Sequence, residues 1–239
     1  HGKFRRQRQM CIRDSSSSGS NSSSGSSGSS GGSNSGSGST SPSSGVTGVV
    51  VIDPGHGGSS TVGGSSPNNA TSYSGVLEKH MCLDIGKRVR SALNRKAPGV
   101  TVHMTRTTDK NLGLSTRAWI AKSKGADVFV SIHFNAFNGV ARGVETHVRP
   151  SSGGNVNLSK DRALARRLTT AMHRALKRYD SSAVDRGVKE TRLAVLNDSY
   201  LGNTSSRAKT RAVLVETEFI DVRSVDRILI ISPNPQGLK

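Results

Sequence analysis

The chain has 239 residues, a formal net charge of +18, 4% aromatic residues and two cysteines. Nothing in it is long and apolar enough to span a bilayer, and Cys82 stands alone once Cys11 in the N-terminal segment is set aside, which excludes a disulfide framework. Few aromatics argue against a base-stacking platform, while the charge favours a polyanion: nucleic acid, an anionic membrane, or a bacterial wall with its carboxylates and phosphates.

Residues 1–14 are short, basic and aperiodic, with no apolar core of a secretory signal, and are expected to be a non-native, adapter-like segment. Residues 15–46 are nearly all Ser and Gly, bury nothing, and are expected to form a flexible linker. Residues 47–239 suffice for one α/β domain, with the native N-terminus and a closing C-terminal helix expected to be missing.

Val49-Val50-Val51-Ile52 reads as a strand covered on both faces. Asp53-Pro54-Gly55 stops it and leaves His56 between two glycines. A histidine there sits at the carboxyl edge, where open α/β sheets place their ligand crevices; the alternative is a turn histidine with no role. The loop Gly57–Gly75 is expected to be too polar to pack. Leu77, Met81, Ile85, Val89 and Leu93 recur every fourth residue, giving a helix that ends before Pro98. Glu78 lies in its first turn, where a carboxylate also suits the helix dipole.

Val100–Met104 reads as a second strand, with Arg106 and Asp109 as a local pair in the loop beyond it. Leu114–Lys124 is a short helix with Trp119 and Ile120 inward. Asp127–His133 is a third strand, so His133 shares the carboxyl edge with His56. Gly143–Arg149 is a fourth, carrying Glu145 and His147, which are expected to line the cleft. Ser159–Tyr179 is a long helix with Leu164, Leu168, Met172, Ala175 and Tyr179 inward and a solvated outer face of Arg162, Arg166, Arg167, Arg174, Lys177 and Arg178. Leu193–Leu196 is the expected fifth strand and Ala212–Ile220 the sixth. Burying Glu216 in that last strand is costly unless it faces a polar cleft or a cation. The expected fold is α/β: a single three-layer sandwich with a twisted, mostly parallel sheet of about six strands flanked by helices.

Two imidazoles and a carboxylate at strand edges and a helix start make up the His₂Glu set of catalytic zinc sites, which leave a fourth position for water. Zinc there lowers the pKa of that water and polarises a carbonyl. A carboxylate outside the ligand set is then needed to take the proton and return it to the leaving nitrogen, and Glu216 is placed for it. The long spacing from His56 to Glu78 to His133 does not by itself specify a metal.

Val51-Ile52-Asp53-Pro54-Gly55-His56-Gly57-Gly58, Gly75-Val76-Leu77-Glu78-Lys79, Thr105-Arg106, Ser131-Ile132-His133-Phe134-Asn135-Ala136 and Leu214-Val215-Glu216-Thr217-Glu218-Phe219-Ile220 follow one another in the chain. Together they resemble the zinc-dependent N-acetylmuramoyl-L-alanine amidases of the amidase-3 family, over nearly all of Thr47 to about Ile231. The resemblance implies an α/β sandwich, Zn²⁺ held by His56, Glu78 and His133, and Glu216 as the catalytic base. It implies a peptidoglycan hydrolase that cleaves the amide between N-acetylmuramic acid and the L-alanine of the stem peptide. The expected setting is the bacterial cell wall, the periplasm, the exterior or a phage lysin. The expected partners are peptidoglycan and, through the basic surface, anionic wall polymers. No specific nucleic acid and no membrane span are expected, and the chain is expected to be a monomer.

Glu218 stands where the family commonly has glycine, and strand alternation would put it on the same face as Glu216. The loop between His56 and Glu78 is longer than in many members, which bears on substrate access. Asn135 would either orient substrate or cap its turn. His80, His103 and His173 are expected to be surface or packing residues, and Cys82 a small buried group. The rival readings are a zinc peptidase acting on the stem peptide, a basic nucleic-acid-binding module, and a wall-binding pseudo-enzyme.

Overall fold

The computed structural model describes residues 45–196, 198–201 and 210–231. The expected N-terminal segment, nearly all of the expected linker and the last eight residues lie outside them. The elements are β1 (Gly48–Pro54), α1 (Glu78–Lys96), β2 (Val100–Met104), α2 (Leu114–Ser123), β3 (Val128–Asn135), β4 (Val144–Val148), α3 (Leu158–Leu176), β5 (Asp185–Glu190), α4 (Asp198–Leu201), β6 (Arg211–Phe219) and α5 (Arg223–Asp226). One sheet runs β2-β1-β3-β6-β4-β5, and all neighbours are parallel except β4 against β6. The α/β sandwich expected from the sequence is the fold found.

The apolar runs are continuous because both faces of the sheet are covered, with successive side chains going to opposite sides. Val51, Phe129, Ala212 and Leu214 pack with Ala118 and Ala121 of α2. Ile52, Ile132, Val213 and Val215 pack with Ile85 of α1 and Leu164 and Leu168 of α3. Each such side chain removed from water contributes roughly 1.5–3 kcal/mol. α1 lies very close to the sheet at Gly86, where a Cβ would come within 2.9 Å of Pro54 and 3.1 Å of Met104. A mid-helix glycine costs about 1 kcal/mol in propensity, and here it lets the helix rest on the end of β1.

Several sequence expectations are corrected. Leu193–Leu196 is no strand: Ala194–Leu196 form a 3₁₀ turn whose Val195 and Leu196 plug the α2 side of the core. The fifth strand is Asp185–Glu190, an edge strand paired only with β4, whose exposed, polar sequence carries no alternation of apolar residues. Trp119 is 52% exposed and Tyr179 45%, because Ala118 and Ala121 face inward on α2 and the chain has left α3 before Tyr179. After β6, α5 and the helical turn Arg227–Ile231 bring Val225 and Leu229 against Phe219 and Val222.

β1, β3 and β6 run parallel, so His56, His133 and Glu216 come to one edge, and antiparallel β4 begins there with Glu145.

Candidate metal centre

The turn after β1 is strained and held from below. His56 has φ 58°, a left-handed backbone that costs a non-glycine residue about 1–2 kcal/mol. Two arginines fix it. Arg106 donates from Nε to the Pro54 carbonyl (2.9 Å) and from Nη2 to the carbonyls of Gly55 (2.7 Å) and Lys79 (2.8 Å). Arg117, 1% exposed, donates to the carbonyls of Pro54 (2.8 Å) and His56 (2.9 Å) and pairs with Asp53 at 2.8 Å. Burial alone would push the Asp53 carboxyl up, but Arg117 and the hydroxyls of Thr105 and Ser131 bring it below its ordinary value. Arg106 is thus not the partner of Asp109, whose carboxylate accepts from Lys79 Nζ at 2.8 Å and from the Gly58 amide at 2.8 Å. The loop before α1 is also pinned: Asn111 Nδ2 donates to the Ser60 and Ser65 carbonyls, and the Gly57 amide to that of Pro67.

His56, Glu78 and His133 converge as the sequence reading expected, with one donor atom from each, all within 4.8 Å of one another. His56 Nδ1 lies 3.0 Å from the Ser66 carbonyl, which can only accept, so Nδ1 carries the proton. Nε2 is buried and faces Glu78 Oε1 at 3.2 Å without a well-aligned hydrogen bond among the described residues. A ring fixed through one nitrogen and open at the other is the arrangement of a metal-binding histidine. Glu78 is 1% exposed; its Oε2 accepts from the Ala70 amide (2.9 Å) and its Oε1 from the Phe134 amide (3.1 Å) and His133 Nδ1 (3.1 Å). The two imidazoles stand edge to face with centroids 4.8 Å apart.

Burial opposes charge on all three groups, yet the outcomes differ. The two histidines overcome it for Glu78 and hold its carboxyl well below the usual range. Glu78 and the Ser66 carbonyl raise His56 despite burial. His133 is lowered by burial, with the His56 charge adding to that. An ionised carboxylate beside a slot that favours positive charge, with an unpartnered imidazole nitrogen aimed into it, fits a divalent cation.

Glu216 is directly opposite His133 in the β3–β6 register and opposite Glu145 across β4–β6. Its Oε2 is buried without a hydrogen bond among the described residues. Burial, then the charges of Glu78 and Glu145, push its carboxyl well above the ordinary value. Glu145 goes the other way, to about 2, since His147 and Arg186 more than offset its burial. It accepts from Arg186 Nε (2.8 Å) and Asn135 Nδ2 (3.1 Å), so Asn135 belongs to this cluster rather than serving only as a turn cap.

Glu218 does not share a face with Glu216. The β3–β6 register slips between His133 and Asn135, where β6 fits an extra residue, and such a bulge breaks alternation. Glu218 Oε1 accepts from the Gly143 amide at 2.6 Å, and the charges nearest it are Arg142 and Asp180. His80 is 54% exposed beside Asp109, His173 contacts the Ala183 carbonyl, and Cys82 is fully buried with its thiol pushed well up by burial. Arg117 and Arg186 are the site residues missed from sequence, while Arg106 was noticed but given the wrong partner. The one available signal was Arg117 itself, on the inward face beside Ala118 and Ala121.

The pattern of Amidase_3, N-acetylmuramoyl-L-alanine amidase, matches residues 50–233. The chain is 32% identical over 172 residues to N-acetylmuramoyl-L-alanine amidase CwlM of Bacillus licheniformis, covering 72% of this chain and 56% of that protein. It is 34% identical over 173 residues to the endolysin of Bacillus phage SPP1, covering 72% and 55%. The chain thus spans little more than half the length of these relatives. Among solved structures, the N-acetylmuramoyl-L-alanine amidase AmiC2 of Nostoc punctiforme superposes with a TM-score of 0.58 at 30% identity, covering 80% of this chain and 89% of that one. That from Clostridium difficile 630 gives 0.61 at 28%, with the same coverage. On the family match and the shared fold together, this chain belongs to the Amidase_3 family of N-acetylmuramoyl-L-alanine amidases.

Proposed function

We propose that this chain hydrolyses peptidoglycan at the amide joining N-acetylmuramic acid to the L-alanine of the stem peptide. The observation that carries the reading is the meeting of His56, Glu78 and His133 around one point with Glu216 in register beside them. His56, Glu78 and His133 would hold a divalent metal, zinc by the chemistry of the His₂Glu donor set. Such an ion, when bound, supplies Lewis acidity toward a carbonyl oxygen and acidifies water.

The protein's own groups do the rest. Glu78 stays ionised through the Ala70 and Phe134 amides, and the Ser66 carbonyl keeps the proton of His56 on Nδ1, so Nε2 remains a donor pair. Glu216, its Oε2 unpartnered, takes the proton of the attacking water and delivers it to the leaving nitrogen of L-alanine. A cation held beside it would offset the burial and the Glu78 and Glu145 charges that raise its proton affinity, leaving it ionised to take that proton. Glu145, tied to Arg186 and Asn135, supports the strand opposite Glu216.

No helix among the described residues is long and apolar enough to cross a membrane. We place the chain's action at the bacterial wall, as a wall enzyme or a phage lysin. Mass spectrometry of digested peptidoglycan tests the reading: release of stem peptides with free L-alanine amino termini supports it. Cuts only within the stem peptide would make the chain a peptidase instead.

A further inference from the structure

We propose that the outer face of α3 is a docking stripe for a phosphodiester polymer of the bacterial wall, an inference that rests on the wall-hydrolysing reading above. Lys160, Arg167 and Arg174 recur every seventh residue, and Arg178 follows four later in the turn that continues the helix. Residues at these steps fall on one side of a helix. Arg166 and Lys177 widen the row on one flank. All six are exposed, and none is in an ion pair among the described residues. Ala163, Thr170 and Ala171, which lie between them, are exposed, small and uncharged. The helix carries a single acid, Asp161, and it is turned inward and 1% exposed. Arg162, by contrast, is paired with Glu190 of β5 and lies outside the row.

The row has a direction relative to the site. Asp161 accepts from the Ala212 amide and Asn157 donates to the Thr210 carbonyl, both at the start of β6. At the other end Asp180 pairs with Arg142, beside Glu218 at the end of β6. Lys160 to Arg178 thus covers about 27 Å at roughly 1.5 Å per residue, leading toward the edge that holds His133 and Glu216.

The composition of the stripe selects its occupant. No large apolar side chain of α3 is exposed, so the helix lacks the apolar face that interfacial membrane helices insert. Within α3 there is no Asn, Gln, Phe, Tyr or Trp with which to read or stack on bases, and Tyr179 in the turn beyond it is one exposed ring, not a platform of successive rings. A single convex row of cations matches one flexible chain of phosphates, held by charge alone and therefore screened by salt.

The full chain is sedimented with Gram-positive walls carrying glycerol-phosphate polymer and with the same walls stripped of it by hydrofluoric acid. Arg167→Glu combined with Arg174→Glu is expected to weaken wall binding at least tenfold, and stripping the wall to do the same to the parent chain. Lys87→Glu combined with Lys96→Glu makes an equal charge change on α1 and is expected to leave binding within twofold. Retention of binding by the α3 variant, equal binding to stripped walls, or equal loss in the α1 variant overturns the assignment. So does displacement by duplex DNA or anionic phosphatidylglycerol vesicles at concentrations where free glycerol-phosphate polymer does not compete. Turnover of a soluble muropeptide reads the hydrolytic site separately: its absence in the parent chain sinks the amidase reading and leaves the sedimentation result intact.

Discussion

Gly55 lies directly against the imidazole of His133: a Cβ at Gly55 would fall 2.6 Å from His133 Nε2 and 2.7 Å from Nδ1. The residue before one candidate ligand is thus glycine because another candidate ligand occupies the space a side chain would need. Gly55→Ala is expected to push the His133 ring away from Glu78 and cut zinc affinity about ten- to a hundredfold, as loss of ligand orientation does elsewhere. Titration of the apo-protein with zinc, beside a circular dichroism spectrum that confirms the fold, checks it. Unchanged affinity would mean His133 is not held by that contact.

Glu216→Gln keeps the shape of the side chain and removes its ability to take a proton. We expect zinc content to stay at the parent level while amide cleavage falls by about 10²–10⁴, the usual contribution of a positioned base. Parent-level turnover would move the proton transfer to another group.

Chelation is expected to abolish cleavage and lower the melting temperature, because an ion bound only by the native state stabilises it in proportion to the logarithm of its concentration over Kd. Added zinc should restore both. Activity that persists in chelator would exclude the metal reading.

Arg117→Ala would leave the Asp53 carboxylate buried without its charge partner and free the Pro54 and His56 carbonyls. A broken buried pair costs about 3–5 kcal/mol. Denaturant unfolding should show a loss of that size; a loss under about 1 kcal/mol would mean water takes over the arginine's contacts.

Asp161 supplies a pH prediction away from the metal centre. Burial raises its carboxyl from 3.8 to about 6, although Asn155 and the Ala212 amide oppose the shift. Raised in the folded state, its contribution is fully present below pH 4 and is lost as pH climbs through about 6, for a total on the order of 2–3 kcal/mol. Asp161→Asn should flatten the slope of unfolding free energy against pH over that window. An identical slope in variant and parent would show that Asp161 does not titrate there.

The site was more legible than its supports. His56 and His133 end apolar runs, and Glu78 opens a run with fourfold spacing, so chain order alone brings them to one edge. The fifth strand was not legible, because an exposed edge strand such as Asp185–Glu190 need not alternate. The separation of Glu216 from Glu218 was hidden for a different reason: a bulge depends on the partner strand, which local spacing does not report. Arg106 was read as the partner of Asp109 and Arg117 was given no role, because the ligands of both are mainly main-chain carbonyls, and carbonyls leave no trace in a sequence.

His133, Glu216 and Glu145 occupy matching rungs of three adjoining strands. Their mutual offsets follow the interstrand repeat of about 4.8 Å, which side-chain substitution in the surrounding loops leaves alone. Remodelling those loops would therefore change which part of the proposed substrate gains entry while the spacing of these three groups stays constant. A one-residue deletion within β6 upstream of Glu216 would instead flip that carboxylate to the opposite side of the sheet in a single step.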